Sequence, residues 1–132
     1  MKLAIGLLIA HGFPIPEAFF KSFELVMDEV RSGRVNATLP TSLQIDALIQ
    51  LHSTSFPVDY ARNEIIRAFL ASDAQTLLFV DCDQTLPVDV VARLVRHDLP
   101  FVSGRYHMRK PPFHAVAYVK HLAFRRLMHR AS

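Results

Sequence analysis

The stretch TLLFVDCD at residues 76–83 joins an apolar run to a pair of aspartates. An uninterrupted run such as Thr76–Val80 is typical of a strand buried on both faces of a parallel sheet. It predicts a strand inside the sheet, with Asp81 and Asp83 at its carboxyl end. Because side chains two positions apart on a strand point the same way, the two carboxylates are expected to share one side, and Cys82 is expected to pack on the other.

On both sides of this strand, strand and helix patterns alternate along the chain. Apolar runs predict further strands at Lys2–Ile9, Asp46–His52 and Leu99–Val102, with a fifth candidate at Ala115–Val119. Helical spacing of apolar residues predicts helices over Glu17–Arg31, from Pro57 through Phe69 and from Pro87 through Val95. The pattern over Arg34–Ile45 assigns no clear element, and Pro40-Thr41-Ser42 within it suggests a loop. This order predicts an α/β fold, a three-layer sandwich with a mostly parallel sheet.

Composition limits the classes of protein that the chain can belong to. It has 132 residues, of which 51% are hydrophobic and 20% charged, which favours a folded domain over a disordered one. No apolar run reaches the roughly 18 residues of a membrane-spanning helix. The single cysteine, Cys82, excludes an internal disulfide and a cysteine-rich zinc site. Residues 1–10 lack a signal-peptide cleavage site and are better interpreted as a strand, so we expect a cytoplasmic protein.

Charge is distributed unevenly along the chain. Residues 1–98 contain eight basic and twelve acidic side chains, whereas residues 99–132 contain seven basic and none that is acidic. The last part of the chain therefore supplies no carboxylate base or ligand. Residues 113–132 are interpreted as a basic tail that could form a strand and a short amphipathic helix. Such a helix could contact an anionic membrane or dock on its own chain. The basic residues match no nucleic-acid-binding motif, so no nucleic-acid partner is expected.

The aspartate pair resembles the opening motif of the haloacid-dehalogenase-like phosphatases, a hydrophobic strand followed by Asp-x-Asp-x-Thr. Asp81, Asp83 and Thr85 occupy the three defining positions. This resemblance implies a Mg²⁺-dependent phosphatase in which Asp81 is the nucleophile. The chain departs from that pattern at Gln84, where the family usually has glycine. It also has about 80 residues before the motif, and 99–132 lacks the family's last acidic motif.

A longer stretch, about residues 3–112, resembles the GT-A glycosyltransferases, and in particular their small bacterial and phage-encoded members. The matching motifs occur in the order Ala61-Arg62-Asn63, Asp81-Cys82-Asp83 and Val102-Ser103-Gly104-x-Tyr106. The resemblance implies a Rossmann-like nucleotide-sugar-binding domain at 1–112. It further implies the transfer of a sugar from a nucleoside-diphosphate sugar to an unknown acceptor, with Mn²⁺ or Mg²⁺ as cofactor.

The same resemblance implies a set of site residues. The metal is expected on Asp81 and Asp83, with His114 as a further candidate ligand. The nucleotide and its diphosphate are expected to contact His11, Gly12, Arg62, Asn63, Asp81, Arg105 and Arg109. No catalytic residue is assigned, and an inverting base from 99–132 is excluded because that region has no carboxylate.

GT-A catalytic domains are usually longer than 200 residues, so this chain is interpreted as truncated at its C-terminus. A non-catalytic module that binds nucleotide sugars is therefore a further alternative. Apolar surface left uncovered by the missing half would favour a homo-oligomer.

Overall fold

The computed structural model describes residues 1–9, 14–104 and 111–112. The chain divides into two compact units, Met1–Pro100 and Phe101–Ser132. The described residues of the first unit form three strands, three α-helices and two short 3₁₀ helices at Arg34–Thr38 and Thr41–Leu43. In chain order the principal elements are β1 (Lys2–Leu8), α1 (Glu17–Arg31), β2 (Ala47–Ser53), α2 (Val58–Leu70), β3 (Thr76–Asp81) and α3 (Val90–Val95).

The three strands form one parallel sheet in the order β2-β1-β3. The central strand is β1, in which five consecutive residues, 3–7, are buried. Parallel pairing places Leu8 between Ser53 of β2 and Asp81 of β3. The carboxyl ends of all three strands therefore meet at one edge of the sheet.

The prediction that Thr76–Val80 forms an interior strand is wrong within the described part of the chain. β3 pairs with β1 on one side and with no described strand on the other, and only Val80 is fully buried. The strand predicted at Leu99–Val102 is also absent, since these residues have no regular secondary structure. Pro100 has no N–H to donate to a strand ladder, which disfavours a strand there. The candidate strand at 115–119 and the tail at 113–132 lie outside the described residues.

Helices cover both faces of the sheet. On one face, Leu3, Ile5 and Leu7 pack in a core with α1 and α3. Because side chains alternate along a strand, Gly6 lies on the opposite face, where α2 packs. A Cβ atom at Gly6 would lie 2.6 Å from Cγ2 of Ile65, so only glycine permits this close approach of α2. The first unit is thus a small α/β fold with a parallel sheet between helices.

Several other elements agree with the sequence-based expectations. Helix α1 has the predicted bounds, and its buried residues follow the predicted helical spacing. The N-terminal apolar run is a strand, β1, as expected. Residues 34–45 contain the two 3₁₀ helices rather than a plain loop, and the Asn36 side chain exchanges hydrogen bonds of 2.7 and 2.8 Å with the backbone of Ile45. None of the described helices combines the length and apolarity needed to cross a bilayer.

Candidate functional site at the carboxyl edge of the sheet

The carboxyl edge of the sheet brings together polar side chains from two strands and one helix. Register aligns Ser53, Leu8 and Asp81, and places their side chains on the face that α2 covers. From this helix come Arg62 and Glu64. In parallel sheets this edge is the usual ligand-binding position. Two polar groups form here, and we call them the β2 corner and the β3 corner.

The β2 corner consists of Ser53, Ser55 and Glu64. The hydroxyl groups of Ser53 and Ser55 both donate to Oε2 of Glu64, at 2.5 and 2.7 Å. The Ser55 backbone N–H donates to Oγ of Ser53 at 3.2 Å, and Ser53 is buried. The hydrogen bond from Ser53, followed by that from Ser55, lowers the pKa of Glu64 below its usual value. The polar groups of this corner therefore satisfy one another's hydrogen bonds.

The β3 corner consists of Arg62 and Asp81. Nη2 of Arg62 lies 3.8 Å from Oδ1 of Asp81, and the two side chains are 50% and 47% exposed. This separation is too long for a hydrogen bond, and a solvated ion pair of this kind contributes little to stability. A guanidinium and a carboxylate are therefore both accessible at the same point of the edge.

The backbone after β3 changes direction at the aspartate pair. The strand ends at Asp81, and Cys82 and Asp83 lie in a turn. The strand alternation that was expected to align Asp81 with Asp83 therefore stops at Asp81. Cys82 packs against the core, as predicted. Burial raises the pKa of the Cys82 thiol, and the negative charges of Asp81 and Asp83 raise it further.

A buried serine on α1 anchors the loop that follows this turn. Oγ of Ser22 donates to the carbonyl of Phe19 at 2.9 Å and accepts a hydrogen bond of 3.1 Å from the backbone N–H of Leu86. Leu86 also packs against the core. The loop that carries Asp83 is thus fixed to α1 at Leu86, three residues after Asp83. Sequence analysis did not identify Ser22.

The predicted metal site has two carboxylates in the described part of the chain, those of Asp81 and Asp83. Among the residues that the structure describes, no group of three or more His, Cys, Asp or Glu side chains could hold a metal ion. Asp81 is half-exposed and Asp83 is exposed. Oxygen ligands of this kind fit Mg²⁺ or Mn²⁺, which are often bound by one or two carboxylates together with water and substrate phosphates.

The remaining predicted site residues are distributed as follows. Asn63 is exposed on α2, next to Arg62. Ser103 is also exposed, and its hydroxyl donates to the carbonyl of Gly104 at 3.1 Å. The positions predicted from the resemblance that lie outside the described residues are His11, Gly12, Arg105, Arg109 and His114.

No protein-family model, curated protein or solved structure matches this chain. The resemblance to GT-A glycosyltransferases therefore depends on the quoted motifs alone. Of these motifs, the structure brings Arg62 and Asp81 together. Ser53, at the end of a predicted strand, lies on the same face of the same edge, together with Glu64, which sequence analysis missed.

Proposed function

We propose that the α/β unit binds a nucleoside-diphosphate sugar together with Mn²⁺ or Mg²⁺, as the nucleotide-binding half of a metal-dependent glycosyltransferase. The observation that carries this proposal is the β3 corner. A half-exposed carboxylate and a half-exposed guanidinium lie 3.8 Å apart at the carboxyl edge of a parallel sheet. A complex of a diphosphate with a metal ion needs a basic side chain to bind its phosphate oxygens and an acidic side chain to bind its cation.

Each group has a role that follows from its chemistry. The Arg62 guanidinium presents several N–H donors in a plane, a geometry that suits phosphate oxygens. Asp81 and Asp83 provide oxygen ligands for the cation. When bound, the cation would neutralise the developing charge on a diphosphate leaving group. Glu64, held by Ser53 and Ser55, fixes α2 against β2 and so positions Arg62, which lies two residues earlier on the helix.

Calorimetry with UDP, GDP, CDP and dTDP, each with and without Mn²⁺, tests the proposal. We expect at least one nucleoside diphosphate to bind more tightly with Mn²⁺. The matching free nucleoside should bind weakly and without metal dependence, because it has no diphosphate for the metal to contact. The Asp59→Asn variant is a control for the loss of one negative charge. Asp59 is an acidic residue in the first turn of α2, the helix that carries Arg62.

The phosphatase alternative gives a different result in the same samples. Hydrolysis of p-nitrophenyl phosphate with Mg²⁺, without binding of any nucleoside diphosphate, would replace the glycosyltransferase proposal. In that case Asp81→Asn should abolish hydrolysis and retain substrate binding, because the nucleophile is lost. Absence of both activities would reject both proposals.

A further inference from the structure

We propose that Ser22 is a positioning residue of the metal site, because it holds the loop that carries Asp83 in the conformation that binds the cation. The inference rests on the proposed function and deepens it, since the affinity for metal then depends on α1 as well as on the aspartate pair. Ser22 is buried on α1, and its hydroxyl accepts a hydrogen bond of 3.1 Å from the backbone N–H of Leu86. This bond joins residues that lie 64 positions apart in the sequence.

The Ser22 hydroxyl is oriented toward the loop by its own helix. It donates its hydrogen to the carbonyl of Phe19 at 2.9 Å. A hydroxyl group has one hydrogen to donate and two lone pairs that accept, so the oxygen is left to accept from the N–H of Leu86. Phe19 and Phe23 flank Ser22 on α1, and both are buried and stacked, with ring centroids 5.5 Å apart. The anchor therefore belongs to a well-packed part of the helix.

The loop after β3 is fixed at two points, and Asp83 lies between them. The side chains of Cys82 and Leu86 both pack against the core, and at Leu86 the backbone is also bonded to Ser22. A loop held at both ends has fewer conformations to lose when it binds a ligand, and such preorganisation favours binding. Without the bond to Ser22, fewer of the loop conformations would direct Asp83 and Asp81 toward one cation.

The size of the effect follows from how metal ligands are held. Groups that orient a ligand without touching the metal typically change metal affinity by about 10- to 100-fold when they are mutated. Ser22 acts through the backbone, three residues after Asp83, so an effect near the lower limit is expected. Ser22→Ala should weaken Mn²⁺-dependent binding about tenfold and leave binding without Mn²⁺ nearly unchanged.

The test is titration calorimetry of the whole chain with UDP, GDP, CDP and dTDP, each with and without Mn²⁺. Ser22→Ala is compared with the wild type, and Ser22→Thr, which retains the hydroxyl, should restore much of the Mn²⁺-dependent affinity. A purely structural role predicts that Ser22→Ala lowers stability and leaves this affinity unchanged. Circular dichroism and urea denaturation check that each variant is folded.

Ser72→Ala is the matched control. The Ser72 hydroxyl donates to the carbonyl of Phe69 at 2.7 Å and accepts a hydrogen bond of 3.2 Å from the backbone N–H of Ala74, the same pair of bonds that Ser22 makes. It lies just before β3 begins at Thr76, at the opposite edge of the sheet. Its loss should therefore leave the Mn²⁺-dependent affinity unchanged.

A further measurement uses the wild type alone and does not depend on the folding of any variant. Coupling between two sites is reciprocal, so a cation on Asp83 should stabilise the bond between Leu86 and Ser22. We expect Mn²⁺ with the tightest-binding nucleoside diphosphate to slow hydrogen exchange of the Leu86 backbone amide, by up to about the same tenfold factor. The Ala74 amide, which is bonded to Ser72, is the control and should not respond.

The results distinguish this role from the proposed function. If the wild type shows no Mn²⁺-dependent binding of any nucleoside diphosphate, both are overturned. Three other results would overturn the role of Ser22 and leave the proposed function standing. These are unchanged Mn²⁺-dependent affinity in folded Ser22→Ala, equal losses in Ser22→Ala and Ser72→Ala, and exchange at Leu86 that ignores Mn²⁺ and nucleotide.

Discussion

The two corners of the carboxyl edge use the same helix and the same face of the sheet, but they differ in how well their polar groups are satisfied. At the β2 corner, one carboxylate oxygen accepts two short hydrogen bonds, and the serine on the strand is buried. At the β3 corner, the charged groups are half-exposed and 3.8 Å apart. The first arrangement fixes the position of α2, whereas the second leaves both charges accessible to a ligand.

This difference predicts separate effects for substitutions at the two corners. Changes at the β2 corner should mainly lower stability. Changes at the β3 corner should mainly alter ligand binding. Gly6 lies beneath α2 and should affect both corners, because the helix carries one residue of each corner.

The largest expected effect is on stability, from Gly6→Ala. The added Cβ would lie 2.6 Å from Cγ2 of the buried Ile65, so α2 must shift away from the sheet. Overpacking of this kind should lower the free energy of unfolding by about 2 kcal/mol, measured by urea denaturation. Gly104→Ala is the control, because its added Cβ meets no atom of the described residues within 4 Å. Equal stability of the two variants would show that α2 does not depend on this close approach.

The next largest effect is on ligand affinity at the β3 corner. If the proposed function is correct, Asp83→Ala should remove the Mn²⁺-dependent part of nucleoside-diphosphate affinity, a loss of about tenfold or more. Asp81→Asn should weaken binding less, because the GT-A resemblance implies that Asp81 contacts the ribose of the nucleotide as well as the metal, and an amide can still hydrogen-bond a ribose hydroxyl. Titration calorimetry measures the nucleoside-diphosphate affinity of both variants. An unchanged midpoint of urea denaturation shows that each variant is folded. Unchanged Mn²⁺ dependence in Asp83→Ala would remove Asp83 from the metal site.

A direct comparison of the corners uses Ser53→Ala and Arg62→Ala. Ser53→Ala removes a buried hydroxyl that donates to Glu64, and should lower the thermal midpoint by several degrees. Arg62→Ala removes one member of a long, solvated ion pair and should leave the midpoint nearly unchanged. The same Arg62→Ala protein should bind nucleoside diphosphate more weakly. A reversed order of the two melting temperatures would contradict the assignment of structural and ligand-binding corners.

The smallest expected effect is on the reactivity of Cys82. Burial and then the charges of Asp81 and Asp83 raise the pKa of its thiol, so little thiolate is present near neutral pH. A cation bound by the two carboxylates would offset their charge, lower this pKa and accelerate alkylation by iodoacetamide a few-fold. In Asp83→Ala, alkylation should be faster without metal and should no longer respond to Mn²⁺. Identical rates with and without Mn²⁺ in the wild type would count against a cation at this position.

The elements of this fold were largely predictable, because they depend on local patterns. Helix α1 combines a clear helical apolar stripe with Pro16 before it and Ser32-Gly33 after it, so both of its ends were predicted. The order of strands was not predictable in this way. Which strand lies in the centre depends on pairing between distant segments, and the apolar run of β3 gave no information about its neighbours.

The candidate site was predicted only in part, because some of its contacts also depend on how distant segments pack together. Asp81 and Arg62 were identified from motifs, and the structure brings them together. The partnership of Glu64 with Ser53 depends on how α2 crosses back over the sheet. One signal could have revealed it, since Glu64 lies between the buried Ala61 and Ile65 on α2. A carboxylate on the buried side of a helix needs a hydrogen-bonding partner nearby.

The central position of β1 also has a consequence for how the chain folds. β1 is the first strand in the sequence, yet both of its neighbours come later, and the hydrogen bond from Lys2 to the Gln75 side chain spans 73 positions. Pairings over such distances require large loops to close, which slows folding. During synthesis from the N-terminus, the strand with the most buried residues is therefore made before both of its partners and must wait for them.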